Sequence, residues 1–479
     1  MCTEKLAEHV PYEHDIYKWK ALVTVAMGTM MATVDASITN ISFPILTETF
    51  HTELTTVMWV TVAYVLVSSS SMLVFGKISD LVGRKRIYSL GMGIFTVGLV
   101  ACSLSQSIGQ LICFRTVQAL GAAMCVSCST AIVTEAFPLR ELGRSLGLLG
   151  VAVSLGFIIG PVVGGFLLHW LDWRSIFYVR APLSFMVLIL ALILLKKDEK
   201  AAATVTLDLL GTLISSVGMF SLIFGMSQIR KLGMKSPLVL LLIGIGILFL
   251  GVFVLIERHT QDPIVDLSLF KNHLFSKASL GLFLMFTSAP SYILIMPFYL
   301  MHGLGWSASK VGLLLAVHSM TTIVFGPISG WLSDRLGASW FQIIGASATT
   351  AAYFFMRTFD IHTQVSGIVP VLILLGVGIG TFQPPNNSTI MGATPRDRLG
   401  TASALIATLR QVGISLGMAF AGTLFAARRA VYQAELVKKG MGQEAIISLS
   451  IPPAFHDVLL ISVCIGFAVV ILSLLRGKE

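Results

Sequence analysis

The sequence predicts an all-α polytopic membrane protein in which two six-helix bundles and two inserted helices make fourteen transmembrane helices. Of its 479 residues, 55% are hydrophobic and 12% are charged, about half the charged fraction of a soluble protein. Apolar runs of bilayer-spanning length, about 20 residues, recur along the chain, and one polar loop motif occurs in each half. Because so little polar surface cannot cover a soluble core of this size, these observations exclude a water-soluble enzyme.

Fourteen apolar runs lie between charged or turn-rich breaks. They lie near residues 19–44, 56–76, 86–105, 108–132, 144–168, 176–195, 207–228, 237–256, 277–301, 309–332, 341–359, 366–391, 401–427 and 455–475. An even number of spans places both termini on one side, and most of the 33 Lys and Arg residues then fall in segments on the side of the termini. Positive charge marks cytoplasmic loops, so we expect a multi-pass protein of the cytoplasmic membrane with cytoplasmic termini.

An internal repeat predicts the two bundles. The loops 76–83 and 330–337 share the pattern Gly-x-x-Ser-Asp-x-x-Gly at an offset of 254 residues. We therefore expect a six-helix bundle over 1–200, two linker helices over 201–270 and a second six-helix bundle over 271–479. Two parallel repeats that enclose a midplane site are the architecture of alternating-access transporters.

Asp35 is the acid that lies deep in an apolar span, within the first run. Loss of water disfavours a lone carboxylate, so Asp35 is a candidate for binding and releasing a proton, with Arg115 as the permanently charged partner that controls it. The alternative is a permanently paired anion that holds helices together.

The span 2–3 loop predicts a conformational latch at the cytoplasmic surface, although its basic run could also serve only as a topology signal. The latch candidates are Gly76, Asp80, Gly83, Arg84 and Glu135, with Asp334 in the second copy. In span 5, small residues four apart allow close helix packing, and a proline is expected to bend the axis. These residues are Gly156, Gly160, Pro161, Gly164 and Gly165.

Polar residues inside the spans predict the substrate cavity. Pro384 and Pro385 predict non-helical backbone in span 12, which is tolerated at membrane depth only where protein or a water-filled cavity satisfies it. The cavity candidates are Asn40, Gln118, Gln383, Asn386, Asn387 and His318; a neutral, hydrogen-bonded interior role is the alternative for His318. Arg410 and Gln411 are expected nearer the cytoplasmic end of span 13, where capping of carbonyl groups is an equal alternative.

Metal and cofactor chemistry is not indicated. Cys125 and Cys128 form a CxxC inside an apolar run, and without a second ligand pair we interpret them as packing residues. We expect no cofactor, no metal and no nucleic acid; the expected partners are a small-molecule substrate, protons and the lipid bilayer, and the protein is expected to be monomeric.

Several of these segments together resemble a known family. The loop 76–86, the Arg115-x-x-Gln118-x-x-Gly121 segment, the Gly156-x-x-x-Gly160-Pro161 segment and the Asp35 segment are similar to signature motifs of the major facilitator superfamily. With fourteen spans the chain looks like its drug:proton antiporter branch. The resemblance implies a proton-coupled exporter of amphiphilic or drug-like molecules. At the start of span 6 the chain departs from the family pattern with Arg180, which adds a charge near the outer face.

The alternative within transport is a proton-coupled carrier of a specific metabolite or lipid. A membrane enzyme would need a nucleophile and base or a metal site, and the sequence contains no HExxH motif, Ser-His-Asp set or clustered carboxylates.

Overall fold

The protein is described here by a computed structural model, which covers residues 12–52, 54–197, 209–233, 236–258, 260 and 267–475. Its long helices are labelled α1 to α14 in chain order. They are α1 Tyr12–Ile41, α2 Trp59–Val82, α3 Arg84–Ser103, α4 Ile108–Ala136, α5 Leu142–Trp170, α6 Arg180–Leu194, α7 Leu209–Leu232, α8 Pro237–Glu257, α9 His273–Ser288, α10 Ala308–Leu336, α11 Ala338–Met356, α12 Val365–Gly392, α13 Leu399–Lys438 and α14 Ile451–Leu474. Short helical turns join several of them, and the described residues contain no β-strand.

Within the ranges that the structure describes, twelve helices are long and apolar enough to cross a membrane. The other two long helices are α7, which contains a shorter apolar stretch, Leu213–Met226, and α11. The all-α membrane fold is confirmed, and the total of fourteen spans stays a prediction.

The helices pack as two groups with a connecting pair. In the first group α3 packs against α4 and α6, α1 against α5, and α2 against α4; in the second, α12 packs against α10 and α11, while α14 packs against α11 and α9. Helices α7 and α8 pack against each other, and α7 also contacts α2 and α13. The predicted boundary at residue 200 lies outside the described residues, and the division into domains remains a prediction.

Small residues bring α5 against α1. A side chain added at Gly156, Gly160 or Gly164 would collide with Thr33, Ser37 or Ile38 of α1, respectively. Gly165 has open space where a Cβ atom would lie, so three of the four candidate glycines make the close contact. The side chain of Pro161 lies outside the described residues.

The expectation of non-helical backbone in span 12 is wrong, because α12 continues through Pro384 and Pro385. A proline has no N–H to donate to the carbonyl four residues earlier, which for Pro384 is Gly380. The Ser329 hydroxyl of α10 donates to that carbonyl at 2.8 Å. A neighbouring helix thus replaces the missing hydrogen bond, and α12 does not unwind.

Candidate functional site

Asp35 is the centre of a fully buried ion cluster. Its Oδ2 accepts from Arg115 Nη1 of α4 at 2.7 Å, and its Oδ1 accepts from Arg180 Nη1 of α6 at 2.6 Å. Gln118, one turn after Arg115, donates from Nε2 to Oδ1 at 3.0 Å and accepts from Arg115 at 2.7 Å. The Arg115 guanidinium also lies 4.4 Å from the centre of the Tyr64 ring. One carboxylate therefore joins α1, α4 and α6 and is shared by two cations.

Asp35 is thus not the lone carboxyl that the sequence suggested. Protonation of Asp35 would leave two guanidinium groups buried side by side without a counter-charge, which is costly in a region of low dielectric. Within the part of the chain that the structure describes, Arg115 Nη2 and Arg180 Nη2 already have no hydrogen-bond partner. The cluster carries one net positive charge, and a proton can replace the ion pairs only if an arginine withdraws.

Arg180 is a functional candidate that the sequence reasoning missed. It was expected to add a charge near the outer face, but its side chain is 4% exposed and bonded to Asp35. A charge inside a membrane protein usually has a partner. The signal was present in the sequence: the second half of span 1, which contains Asp35, and the start of span 6, which contains Arg180, lie toward the same side of the membrane.

Asp80 joins the first group of helices to the second. Its carboxylate accepts from the backbone N–H groups of Gly400 and Thr401, at 2.7 and 2.8 Å, and from the Thr401 hydroxyl at 3.0 Å. Arg84 holds Asp80 in place at 3.0 Å and pairs with Glu135 at 2.7 Å. Because the first N–H groups of a helix have no partner within it and carry the positive end of its dipole, Asp80 caps α13 from the other half.

The second copy of the loop motif repeats this contact in the opposite direction. Asp334 accepts from the N–H groups of Gly143 and Arg144, at 2.7 and 2.9 Å, at the start of α5. The two capped helices begin with the same pair, Leu142-Gly143 and Leu399-Gly400, at an offset of 257 residues. This second repeated element was visible in the sequence and was not used.

Helices α5 and α10 touch through their backbones at this same end of the molecule. A Cβ atom at Gly143 would lie 2.6 Å from the Gly330 carbonyl oxygen, and one at Gly147 would lie 2.7 Å from that of Gly326. At Gly150, two turns after Gly143, nothing lies within 4 Å of the position of a Cβ atom. The contact between α5 and α10 therefore closes beside the two aspartate caps and separates along α5.

A small cavity of about 50 Å³ lies between the two groups of helices, beyond the closed contact. Helices α1 and α4 contribute Thr29 and Ser129, and α12 contributes Gln383 and Asn387. Arg410 of α13 is the ionisable residue in its lining, and the remaining lining residues are threonine, glycine and aliphatic side chains. The cavity is therefore polar on its α12–α13 side and carries positive charge.

Comparison with known protein families identifies the family of this chain. Residues 25–418 match the model of the Major Facilitator Superfamily. The chain belongs to the major facilitator superfamily. It is 32% identical to the riboflavin transporter RibZ of Clostridioides difficile over 85% of this chain and 88% of the relative. It is 29% identical to the multidrug resistance protein Stp of Mycobacterium tuberculosis, over 85% and 75% of the two chains, and 27% identical to the tetracenomycin C resistance and export protein of Streptomyces glaucescens, over 86% and 76%.

Solved structures agree on the fold of this facilitator. The human organic anion transporter MFSD10 superposes with a TM-score of 0.65 at 15% identity, covering 94% of this chain and 99% of that one. The proton:xylose symporter XylE superposes with a TM-score of 0.64 at 13% identity, covering 96% and 95%. The protein is a multi-pass membrane transporter of small molecules and not an enzyme.

The facilitator fold distributes the predicted cavity residues over three places. Gln383 and Asn387 lie in the cavity, whereas Gln118 belongs to the Asp35 cluster. Asn386 was expected in the cavity, but this prediction is wrong: its side chain is fully buried and donates to the Ala278 carbonyl of α9 at 3.1 Å, because successive residues of an unbroken helix point to different sides. His318 packs against Tyr292, with 5.1 Å between ring centres, inside the second group of helices.

Three further predictions have different outcomes. The side chain of Asn40 lies outside the described residues. Arg410 lies eleven residues after Leu399 along α13, a rise of about 16 Å, and it lines the cavity; Gln411, the next residue, is half-buried. Their position nearer the cytoplasmic end of span 13 stays a prediction. Cys125 and Cys128 are buried in α4, where the Cys125 sulfur lies 3.5 Å from that of Met92, consistent with packing.

Proposed function

We propose that this transporter is a proton-coupled antiporter that exports amphiphilic or drug-like organic molecules across the cytoplasmic membrane by alternating access. Both termini are assigned to the cytoplasm from the distribution of Lys and Arg. The relatives named for multidrug resistance and tetracenomycin C export support this direction of transport. The observation that carries the proposal is the Asp35 cluster, a buried carboxylate that two arginines share.

The contacts between the two groups of helices support alternating access. They involve α2 and α4 against α13, and α5 against α10 and α12. The first part of α13, from Leu399 to Thr408, is continuously buried. Further along the helix, the buried Gly413 and Gly417 face α9, which belongs to the same group of helices as α13. Rocking about the cavity would break the two aspartate caps at one end and bring the helices together at the other. The caps are the latch of the conformation described here.

The ion cluster supplies a chemical basis for proton coupling. Asp35 holds arginines from α4 and α6, so opening of the cluster requires those helices to shift relative to α1. A carboxylate released from both arginines in a poorly solvated site favours its neutral form, and a proton would then bind. Proton release would restore the ion pairs, which links the charge of Asp35 to the arrangement of three helices.

Two other interpretations are distinguishable from this one. Asp35 could be a permanently paired anion with a purely structural role. The protein could also be a proton-coupled carrier of one metabolite or lipid, which the similarity to a riboflavin transporter favours. A metabolite carrier moves one member of a chemically diverse panel, whereas a multidrug exporter moves several.

The test is proton movement in proteoliposomes that contain a pH-sensitive dye. Riboflavin, tetracenomycin C and ethidium serve as probes, and the wild type is expected to move protons only when a transported probe is present. We expect Asp35→Asn to lose probe-dependent proton movement by at least tenfold. Asp360→Asn, the same chemical change on an exposed loop residue, is the matched control and should keep it.

Full proton-driven transport by Asp35→Asn would refute the role of Asp35. Transport by the wild type without proton movement would refute the antiporter. Thermal unfolding of each variant in the same detergent separates a folding defect from a coupling defect.

A further inference from the structure

Arg410 is a cation without a counter-charge in the cavity between the two groups of helices. Within the described residues its guanidinium forms no hydrogen bond or ion pair, and it lies 6.0 Å from the centre of the Phe286 ring. The cavity lining contains no Asp or Glu. An arginine keeps its charge in proteins, and a charge inside a membrane protein is costly unless a partner offsets it. An anionic ligand that enters the cavity would supply the missing partner.

The neighbouring side chains of α12 are also free to bind a ligand. The carboxamides of Gln383 and Asn387 form no hydrogen bond within the part of the chain described here, and Asn387 Oδ1 is buried without a partner. In contrast, Thr29 and Ser129 across the cavity already donate their hydroxyl protons to carbonyls of their own helices, Val25 at 2.9 Å and Cys125 at 2.8 Å. Among the described residues the free donors of the cavity are thus the guanidinium, the two carboxamides and the hydroxyl of Thr130.

The buried carboxylate of Asp35 does not cancel this positive charge. Asp35 is bonded to Arg115 and Arg180, so its cluster is itself positive by one charge. A cationic substrate would be repelled by Arg410, and a neutral one would leave the guanidinium unpaired.

We propose that the transported substrate is an organic anion whose carboxylate, or a group of similar charge and shape, pairs with Arg410. The planar guanidinium can hold both oxygens of a carboxylate, and the Gln383 and Asn387 carboxamides donate to the same group or to a neighbouring carbonyl. At about 50 Å³ the cavity of this conformation has room only for the carboxylate group, so the apolar body of the substrate enters when the two groups of helices rock apart, with Leu146, Leu149 and Ile406 on the other walls. This inference rests on the proposed function, since it takes the cavity as the transport site.

The test measures binding of three probes that share one skeleton to the purified full-length protein. 2-Naphthylacetate is anionic, 2-naphthylacetamide is neutral and 2-(2-naphthyl)ethylamine is cationic at pH 7, and inorganic phosphate is a fourth probe. Isothermal titration should give the carboxylate at least tenfold tighter binding than the amide or the amine. A hydrogen-bonded charge pair contributes about 1.5 to 3 kcal/mol, so Arg410→Gln should weaken binding of the carboxylate about 10- to 150-fold.

Two further variants show whether charge at this position is responsible. Arg410→Lys keeps the charge and should retain the preference for the carboxylate, although the loss of the planar fork weakens binding. Arg429→Gln, on the same helix and outside the cavity lining, should bind as the wild type does.

Equal or tighter binding of the amine or amide, absence of carboxylate binding, or unchanged binding in Arg410→Gln would overturn the proposal. Phosphate that binds as tightly as the carboxylate would overturn the organic part of it. Binding is measured without a proton gradient, so it does not depend on proton coupling. The anion preference can therefore be confirmed when proton coupling fails, and proton coupling can be confirmed when the anion preference fails.

Discussion

The cap that Asp80 places on α13 allows a quantitative test of the latch. Asp80→Asn keeps the size of the side chain but removes its charge. The carboxylate accepts from two backbone N–H groups at 2.7 and 2.8 Å, whereas an amide offers one oxygen and turns its NH₂ group toward the second donor. Hydrogen bonds to charged groups contribute about 1.5 to 3 kcal/mol each, so the variant should destabilise the latched conformation by about 2 to 3 kcal/mol.

This free energy corresponds to a fall in the ratio of latched to unlatched molecules by a factor of about 30 to 150. Spin labels at Val82 and Leu336, both exposed at matching helix ends, report the separation of the two groups by double electron–electron resonance. Among the described residues the exposed cysteines are Cys113 and Cys464; these two and Cys2 must first be replaced.

The symmetry of the latch makes the test stricter. Asp334→Asn should have an effect of similar size, and because the two caps are separate sites their free energies should add in the double variant. Asp397→Asn is the matched control, since this acid lies in the turn just before α13, three residues before Gly400, and its side chain is 74% exposed. A double variant that stays as fully latched as the control would refute the assignment of the caps as a latch.

Two further predictions concern the helix contacts. Gly330→Leu should prevent the close approach of α10 to Gly143 of α5 and increase the distance between the spin labels at Val82 and Leu336. Gly165→Leu, at an exposed position, is the matched control and should leave this distance unchanged. An unchanged distance in Gly330→Leu would show that α5 and α10 do not form the closing contact. Ser329→Ala should lower the free energy of unfolding by about 1 to 2 kcal/mol, because the Gly380 carbonyl loses its donor. In a Pro384→Ala variant, residue 384 regains a backbone N–H that can donate to Gly380. Ser329→Ala should then lower the free energy of unfolding by less than half as much, as measured by thermal unfolding. An equal loss of stability with and without Pro384 would contradict the role of Ser329 as the replacement donor.

Hydropathy predicted the secondary structure well because a bilayer imposes a simple rule. Every backbone polar group in lipid must be satisfied within the segment, so a long apolar run can only be a helix. The rule holds even at Pro384, where the proline led us to expect a break and the helix continues. Whether a proline unwinds a helix depends on whether a neighbour satisfies the freed carbonyl, and the position of Ser329 on another helix cannot be derived from the local pattern.

The sequence by itself determined the class of protein, its internal repeat and the small set of charges that matter inside the membrane. Only the tertiary structure decided how those charges pair. Asp35 and Arg180 are 145 residues apart, and Asp80 meets the start of α13 more than 300 residues later, so neither contact follows from local periodicity. The same holds for Arg410: apolar patterning places it on a helix, but its solvation and its lack of a counter-ion depend on which side chains the other helices bring to the cavity.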